Sequence, residues 1–439
     1  MDYGEALRWL DDRVNLEASS SASRLAAPTL ERMQELVGLL AEPQRGYPVI
    51  HLTGTNGKTS TARMMTRLLE VAGLTVGTYI SPHLETINER ISRNGVPISD
   101  EDLAETLTTI AGVAPLMQSG RPSYFEALTA AGFLWFADVA VHAAVVEVGL
   151  LGRWDATNVA DGQVAVVTNI GADHLDYAGS IDAVAREKAG IVKPGSILVL
   201  GETNPELVVA FADTPAEEVW RRDDDFAVLD NSMAVGGRLV TMRTPSSMYE
   251  DVFVRLHGAH QADNAILALS SAEAFLGGPL DSELVAEAFD TVASPGRLEV
   301  MGHEPLVLLD GAHNAAGATA LASAMEDEFS GGVERWTLVV GLLEPHSPLD
   351  FLGALDVGGS TGSEVARVVA TEANSPRAVP AAAIVQAARS FGIEAEVGGG
   401  VAESVARALA LSEGDEAVLV TGSLWVVGEA RTALRRGVG

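Results

Sequence analysis

The sequence has no cysteine among its 439 residues. Disulfides, thiol catalysis and thiolate metal sites are thereby excluded. It is also poor in basic residues, because 29 Lys and Arg stand against 60 Asp and Glu and give a net charge of −31. Nucleic acid and anionic membranes are polyanions, so we expect neither as a partner. We interpret the acidic excess as a solvated surface, and any nucleotide site must therefore supply its own positive charge.

Long apolar runs are also missing. No stretch reaches the length of a membrane span, and no N-terminal signal peptide is visible. Hydrophobic residues still make up 47% of the chain, which is ample for folded cores, and 439 residues exceed one ordinary core. We expect a cytoplasmic, monomeric protein of two or three domains.

Residues 51–60, His-Leu-Thr-Gly-Thr-Asn-Gly-Lys-Thr-Ser, are the most informative stretch. An apolar run precedes them and a helical pattern with Met64, Met65, Leu68 and Leu69 follows. Strand, glycine-rich turn and helix form a phosphate-binding loop, whose amides point at the anion. The predicted ATP contacts in this loop are Gly54, Thr55, Asn56, Gly57, Lys58, Thr59 and Ser60.

In this loop Lys58 would reach the β- and γ-phosphates, and the Thr59 hydroxyl would hold Mg²⁺. The usual P-loop pattern has a glycine where Leu52 stands, so this loop is shorter. The alternative is an ordinary Gly-Asn turn between a strand and a helix.

The short loop resembles that of the ATP-dependent Mur ligase superfamily, whose members join a carboxylate to an amine. Residues 81–84, Ser-Pro-His-Leu, and 89–91, Glu-Arg-Ile, are similar to the signature of the folylpolyglutamate synthase/dihydrofolate synthase branch. This resemblance implies that Ser81 is a Mg²⁺ ligand and that Pro82 lies at the substrate.

Glu147 ends the apolar run at 143–146, the place of a metal-binding acid in P-loop proteins. A capping carboxylate is the alternative. The family resemblance further implies that His174 and a carbamylated Lys188 join Glu147 around a second Mg²⁺. A surface lysine in a helix is the alternative for Lys188.

Two further stretches match the family's pteroate site. Tyr124 and Phe125 lie in a region that lines the pteridine pocket in the family, although aromatics at a helix start equally suit a core. Residues 149–158 resemble the family's Gly-Leu-Gly-Gly-Arg-x-Asp-Ala-Thr-Asn, which implies substrate contacts from Arg153 and Asp155. Leu151 stands where a glycine is usual, so we expect a different local backbone.

The remaining ATP contacts follow from the resemblance at residues 257–264, 295–297 and 310–314. Asn264 would contact adenine, Arg297 the phosphates, and Asp310 the ribose or phosphates. His257 and His260 we interpret as capping or packing residues.

His313 would lie at the reaction centre or the incoming glutamate, and Ser423 at the glutamate. Ala315 replaces the family's proline after Asn314. The family's Asp-Lys-Asp after the second strand of this region is absent from residues 341–347, so a changed amine substrate is an open alternative.

We predict an α/β fold of two domains: a P-loop, Mur-ligase-type ATPase domain with a parallel-rich central sheet at 1–294, and a smaller Rossmann-like α/β glutamate-ligase domain at 295–439. Helices are expected at 3–16, 30–40 and 127–137, and an edge hairpin within 213–251. Predicted strands cover 76–80, 143–146, 164–168, 196–200, 306–309, 336–340, 365–370, 395–397 and 417–421.

The predicted activity is ATP-dependent amide ligation through an acyl phosphate, with L-glutamate added to a reduced folate, to 7,8-dihydropteroate, or to both. ATP and two Mg²⁺ ions are the expected cofactors, and domain closure would assemble the site. The predicted catalytic residues are Lys58, Glu147, His174, Lys188 and His313.

Three alternatives stay open at this point. A cell-wall Mur ligase would need an N-terminal domain, and the 50 residues before the loop leave no room for it. A GTPase-like switch would need a guanine-binding motif, which is missing. A non-catalytic ATP-binding regulator is the third.

Overall fold

The protein is described from a computed structural model, which covers residues 1–15, 17, 29–172, 175–358, 364–412, 414 and 416–437, with residue 176 described through its backbone only. An eight-stranded sheet lies at the centre of residues 1–294. Its strands are β1 Val49–Thr53, β2 Val76–Tyr79, β3 Ile91–Arg93, β4 Val96–Pro97, β5 Ala143–Glu147, β6 Gly162–Val167, β7 Ile197–Leu200 and β8 Glu218–Arg221.

The order across this sheet is β4-β3-β2-β5-β1-β6-β7-β8. Neighbouring strands are parallel except in the β2–β3 and β3–β4 pairs. β1 and β5 are buried along their whole length, as expected of strands covered on both faces. Because β1 lies between β5 and β6, the segments that follow these three strands meet at one edge of the sheet.

Helices cover both faces of the sheet. Those of residues 1–294 are α1 Tyr3–Asp11, α2 Glu31–Leu39, α3 Lys58–Val71, α4 Asp100–Val113, α5 Tyr124–Asp138, α6 Leu175–Ala178, α7 Ile181–Ala189, α8 Pro205–Val208, α9 His260–Leu276 and α10 Ser282–Thr291. On one face α3, α9 and α10 bury Met64, Leu68 and Ile266. On the other, α1, α2, α4 and α5 bury residues such as Leu36 and Phe133.

The hairpin expected within 213–251 is present, but it belongs to a separate sheet and not to an edge of the large one. β8 instead extends the large sheet in parallel with β7, because Val219 and Trp220 pack on opposite faces of it. The following strands, β9 Ala227–Ala234, β10 Gly237–Arg243 and β11 Met248–Val254, form a separate antiparallel sheet in the order β11-β10-β9. This small sheet packs against α9 and α10.

Residues 295–437 form a second α/β unit. Its strands are β12 Glu299–His303, β13 Leu306–Leu309, β14 Arg335–Val340, β15 Glu364–Thr371, β16 Glu394–Gly399 and β17 Glu416–Thr421. Its helices are α11 Ala315–Phe329, α12 Pro348–Ala354, α13 Ala381–Ser390, α14 Val401–Leu411 and α15 Leu424–Arg435. The strand order is β12-β13-β17-β14-β15-β16, and only β12 pairs antiparallel.

The predicted α/β fold is confirmed, with two differences in its elements. β12 was not predicted, because Met-Gly-His breaks the apolar pattern; it is a half-exposed edge strand. The helix predicted at 3–16 ends at Asp11, where the N–H of Asp12 bonds to the carbonyls of Arg8 and Leu10. The Asp, Val and Asn that follow are weak helix formers, and residue 16 lies outside the described part.

The two parts of the chain touch away from the central cleft at Glu328, in the last turn of α11. Its carboxylate accepts hydrogen bonds from Arg238 Nη1 (3.1 Å), His257 Nδ1 (2.7 Å) and the N–H of Gly258 (2.7 Å). The Glu328 side chain is only 3% exposed. We call this contact the Glu328 clasp.

Across the described ranges, no helix is both long and apolar enough to cross a membrane.

Candidate active site

A cavity of about 1380 Å³ lies where the carboxyl ends of the two parallel sheets face each other. Residues 55–60 of the predicted phosphate loop line one side of it. Residues 310–313, after β13, line the other. Both parts of the chain therefore contribute walls to one site, as the prediction of a site assembled between domains requires.

The phosphate loop is fastened by the segment after β6. Gly54 has φ 156°, and a Cβ there would lie 1.7 Å from Thr168 Oγ1, so only glycine permits this approach. Thr168 Oγ1 donates to the carbonyl oxygen of Asn56 (2.6 Å). The N–H of Asn56 in turn donates to Asn169 Oδ1 (2.9 Å). Thr168 and Asn169 were not predicted as part of the site.

Lys58 lies at the start of α3 and caps this loop. Its Nζ donates to the carbonyl oxygens of Gly54 (3.0 Å) and Thr55 (3.1 Å). The ammonium is thus held at the mouth of the loop, where an anionic phosphate would bind. Ser60 is buried, and its Oγ lies 3.1 Å from Ser294 Oγ at the start of the linker.

Glu147 lies beside this loop, at the end of β5. Thr59 Oγ1 donates to both carboxylate oxygens, over 3.1 and 3.0 Å, and the N–H of Ser81 also donates to the carboxylate. Burial raises the pKa of Glu147 to about 7, although Lys58, Thr59 and Arg297 oppose the shift. A buried carboxylate that is costly to ionise favours a bound cation.

The donors of this corner suit Mg²⁺. Thr59, Ser81 and Glu147 supply two hydroxyls and one carboxylate, all hard oxygen ligands. Within the part of the chain that the structure describes, no three His, Asp or Glu side chains form a group that could hold a metal ion by themselves. One carboxylate together with phosphate oxygens is the usual protein environment of Mg²⁺. The magnesium ligands remain a prediction.

The structure describes only some of the residues predicted to bind the second Mg²⁺. Lys188 is buried beneath the phosphate loop, and its Nζ donates to the carbonyl of Gly54 (2.7 Å). Lys188 is therefore not on the surface, the alternative noted above, although it is not among the residues that line the cavity. His174 lies outside the described residues. Carbamylation of Lys188 remains a prediction.

The C-terminal part of the chain lines the other side of the predicted ATP site. Asp310 is buried, and its carboxylate accepts from the N–H groups of Leu298 (2.9 Å) and Ala312 (2.8 Å). Arg297 lines the cavity between the two parts, close enough to oppose the raised pKa of Glu147. Asn314 Nδ2 donates directly to Asn56 Oδ1 of the phosphate loop (3.2 Å).

The end of the cavity predicted to hold adenine is formed by the first turns of α9. Asn264 is buried; a Cβ on Gly57 would lie 2.3 Å from its Oδ1, and its Nδ2 donates to Gln261 Oε1 (3.0 Å). His260, interpreted above as a capping or packing residue, lies against Gly258 and also lines the cavity. Arg222, which pairs with Asp263 over 3.0 Å, lines the same end.

Comparison with known proteins identifies this arrangement. The Mur ligase middle domain matches residues 52–272, and the Mur ligase glutamate ligase domain matches residues 296–424. The chain is 41% identical over 408 residues to dihydrofolate synthase/folylpolyglutamate synthase of Mycobacterium tuberculosis, covering 87% of this chain and 79% of that protein. The chain belongs to this family of ATP-dependent ligases.

Solved structures agree with this assignment. The M. tuberculosis folylpolyglutamate synthase complexed with ADP superimposes with a TM-score of 0.90 at 37% identity, over 98% of each chain. A complex of folylpolyglutamate synthase (FPGS) with AMPPCP and folate superimposes with a TM-score of 0.81 at 28% identity, over 99% of this chain and 100% of the other. Structures of this family thus hold nucleotide and folate on the same fold.

The pteroate side differs in part from what the family resemblance implied. Phe125 lines the cavity and stacks closely on Gly149, where a Cβ would lie 2.5 Å from its ring. Tyr124 instead points into the buried core, with the Arg90 guanidinium 5.7 Å from its ring centre. Of these two aromatic residues the structure brings Phe125 to the cavity, whereas Tyr124 takes the core position given above as the alternative, because successive helix positions face different directions.

Arg153 is also displaced from its expected place. It is about half exposed, pairs with Glu187 over 3.7 Å and donates to the carbonyl of Arg186 (3.3 Å), outside the cavity wall. Asp155 does line the cavity, but its carboxylate accepts from the N–H groups of Leu150 (2.8 Å) and Thr157 (2.9 Å). Asp155 therefore shapes the loop that carries it.

Leu151 adopts a backbone conformation that favours glycine. Its φ is 59°, in the left-handed region, and its carbonyl accepts from Thr53 Oγ1 (2.5 Å). The expected difference in local backbone between this loop and that of the family remains a prediction.

The amine side of the cavity carries two histidines. The rings of His313 and His346 lie 5.4 Å apart at an interplanar angle of 62°, and both line the cavity. His346 lies in the segment that lacks the family's Asp-Lys-Asp. Ser423 is buried, lines the cavity and caps α15 by accepting from the N–H of Val426.

Several further cavity residues had no signal in the sequence. They are scattered along the chain and are brought together only by the fold: Leu30, Met33, Arg121, Trp154, Tyr177 and Arg377. A single sequence does not distinguish them from ordinary surface or core positions.

Proposed function

We propose that this ligase adds L-glutamate to a folate-type acceptor, either a reduced folate such as tetrahydrofolate or 7,8-dihydropteroate. The observation that carries the proposal is the joint cavity, in which Lys58, Thr59 and Glu147 face Arg297, Asp310 and His313 from the other part of the chain. The acceptor carboxylate, the γ-phosphate and the amine can meet only in such a shared space. The named activities of the relatives support the choice of substrates.

The first step would transfer the γ-phosphate to the acceptor carboxylate. The N–H groups of the phosphate loop and Lys58 would hold the β- and γ-phosphates, and Arg297 would approach them from the other side. Mg²⁺, when bound by Thr59, Ser81 and Glu147, would neutralise charge on the transferring group and reduce the repulsion between two anions. Positioning and electrostatics, rather than a nucleophilic side chain, would carry the rate.

The second step would be attack of the glutamate amine on the acyl phosphate, which forms the amide and expels phosphate. His313 and Ser423 line the cavity on the side from which the amine would approach. We assign them to amine binding, with Phe125 and the 149–155 loop at the pterin. The metal-binding roles of His174 and Lys188 remain hypotheses, as do the substrate contacts of Tyr124 and Arg153. Mutagenesis of each residue tests them.

We also propose that the chain divides into domains at residues 294 and 295. The protein would act as a monomer in the cytoplasm, where ATP is available. Light scattering of the purified protein tests the monomer directly.

The deciding experiment is ADP release with ATP and Mg²⁺, with L-glutamate as the amine and each acceptor supplied separately. Turnover with dihydropteroate and tetrahydrofolate would establish a bifunctional synthase, and turnover with tetrahydrofolate alone a polyglutamylase. If both acceptors support release only with another amino acid, the His346 segment has changed the amine. No release with any acceptor or amine, while ATP still binds, would overturn the proposal in favour of a regulator.

A further inference from the structure

The predicted metal ligand Ser81 begins a closed loop, residues 81–89, which we call the Ser81 loop. The N–H of Ile80 donates to the carbonyl of Arg90 over 2.9 Å and closes its neck. Inside the loop, Glu89 accepts from three successive N–H groups, those of Leu84, Glu85 and Thr86, each at 2.9 Å. Its conformation is thus held by internal bonds.

The tip of this loop docks on α15 of the C-terminal part. The Glu85 carboxylate accepts from Thr432 Oγ1 (2.8 Å) and Arg435 Nη1 (3.0 Å), and it also pairs with Arg431. Arg431 is itself held by Glu299 on β12, over 2.9 Å. The Arg431 guanidinium is therefore held in place by the C-terminal part, where it pairs with Glu85.

The backbones also meet closely at this point. A Cβ on Gly428, in the second turn of α15, would lie 1.8 Å from the carbonyl oxygen of Leu84. The Leu84 side chain packs on the core of the C-terminal part that contains Val426 and Val427. Glycine at 428 is therefore needed for the loop to approach the helix.

Charge links the Ser81 loop back to the metal corner. Burial lowers the pKa of the Arg63 guanidinium on α3, while the charges of Glu89 and Glu147 raise it and those of Arg297 and Arg431 lower it. Arg63 therefore lies within electrostatic reach of both the carboxylate that organises the Ser81 loop and the carboxylate predicted to hold the metal.

We propose that Glu85 and Gly428 position the Ser81 loop, so that docking of α15 sets Ser81 in place for the metal. The same helix is capped at its N-terminus by Ser423, which lines the cavity. α15 therefore joins the predicted amine side to the predicted metal side. The proposal rests on the proposed function only in taking Ser81 as a metal ligand; Glu85 and Gly428 are positioning residues and touch no substrate.

The test compares Gly428→Ala with Gly112→Ala. Gly112 also lies in a helix, and a Cβ there meets nothing within 4 Å, so it reports the general effect of the exchange. Hydrogen exchange of the peptide over residues 81–90 is measured on the free protein. The Mg²⁺ concentration for half-maximal ADP release and the KM for ATP at saturating Mg²⁺ are measured on the active enzyme.

For Gly428→Ala we expect faster exchange in the Ser81 loop and a Mg²⁺ requirement raised roughly tenfold, as small misplacements of catalytic groups cost factors of this size or more. The KM for ATP should stay unchanged. Glu85→Gln, which removes the charge facing Arg431 and Arg435 but keeps the side-chain shape, should act in the same direction. It serves as the test if Gly428→Ala does not fold.

Three results would overturn the proposal: exchange and Mg²⁺ requirement both equal to those of Gly112→Ala, faster exchange with an unchanged Mg²⁺ requirement, or a changed requirement without faster exchange. A wild-type protein that releases no ADP with any folate would refute the proposed function instead. In that case the exchange experiment and a Mn²⁺-binding titration of the same variants still decide whether α15 positions the loop.

Discussion

Asn314 Nδ2 donates a hydrogen bond to Asn56 Oδ1, and this 3.2 Å contact joins residues 258 positions apart. Asn56 belongs to the phosphate loop, and Asn314 caps α11 by accepting from the N–H of Gly317 (2.8 Å). The Asn314 side chain thus caps the N-terminus of α11 in the C-terminal part and also reaches the phosphate loop in the other part. The contact bridges the two walls of the cavity.

Substitution of Asn314 can separate these two tasks. Asn314→Ser should keep the helix cap but lose the reach to Asn56, since serine caps well and is shorter. We expect stability within about 0.5 kcal/mol of wild type and a kcat/KM lowered several-fold. Asn314→Ala should lose about 1 kcal/mol in addition. Urea unfolding and ADP release check both. Equal kcat/KM for Asn314→Ser and wild type would contradict the role of the contact.

Gly54→Ala should severely weaken nucleotide binding. The added methyl would overlap Thr168 Oγ1, which holds the carbonyl of Asn56, so the phosphate loop must open. We expect a KM for ATP raised roughly a hundredfold or more, because several loop N–H groups lose their aim together. Gly38→Ala, in α2 with open space around it, is the matched control. Binding of a fluorescent ATP analogue measures both, and unaltered binding by Gly54→Ala would rule out the loop as the phosphate site.

Phe125→Ala should weaken acceptor binding while leaving ATP binding intact. Its ring lines the cavity, and loss of an aromatic contact costs about 1 to 1.5 kcal/mol, or roughly tenfold in KM for the folate. Tyr124→Phe is the control, because Tyr124 lies in the core and the ring is kept. Initial rates against acceptor concentration separate the two variants. A raised folate KM in Tyr124→Phe alone would restore the original assignment of Tyr124.

The Glu328 clasp should make stability depend on pH. Burial would raise the pKa of Glu328, but hydrogen bonds from His257 and Gly258 and the charge of Arg238 lower it below the usual 4.5. A lowered native pKa contributes stability above pH 4.5 that is lost as the pH falls further. Glu328→Gln should therefore lose about 2 kcal/mol at pH 7 and converge with wild type in acid.

Glu396→Gln is the matched control for the clasp. Glu396 pairs with Arg407 over 2.7 Å, but both side chains are about half exposed, and such pairs stabilise little. Urea unfolding of the three proteins between pH 3 and 8 makes the comparison. A difference between Glu328→Gln and wild type that persists in acid would contradict the assigned pKa.

Local patterns in the sequence were enough for the elements and motifs that lie within a few consecutive residues. The strand, loop and helix around Lys58 and the acid at the end of β5 are of this kind, and each lies where it was predicted. The helix predicted to residue 16 failed because a cap, and not hydrophobic spacing, ends α1 at Asp11. β12 was missed because an edge strand needs no continuous apolar face.

Contacts between distant segments could not be predicted. Thr168 and Asn169 look like a strand end, and only the pairing of β1 with β6 brings them to the phosphate loop. Glu85 and Arg431 are 346 positions apart, with nothing local to relate them. Family resemblance placed Tyr124 and Arg153 at the pocket, whereas the helix phase of one and the ion pair of the other direct them elsewhere.

Because the Glu328 clasp holds one end of α11, a rotation of the C-terminal part about the clasp would move the other end of this helix the most. The helix has 15 residues and is about 22 Å long, with the clasp near one end and Asn314 at the other. If the C-terminal part turns about the clasp by roughly 10°, Asn314 travels along an arc of about 4 Å for a lever of this length. That displacement exceeds the 3.2 Å length of the hydrogen bond between Asn314 and Asn56, so the bond would break. The cleft would then open at the phosphate loop while the hydrogen bonds of the Glu328 clasp stay in place.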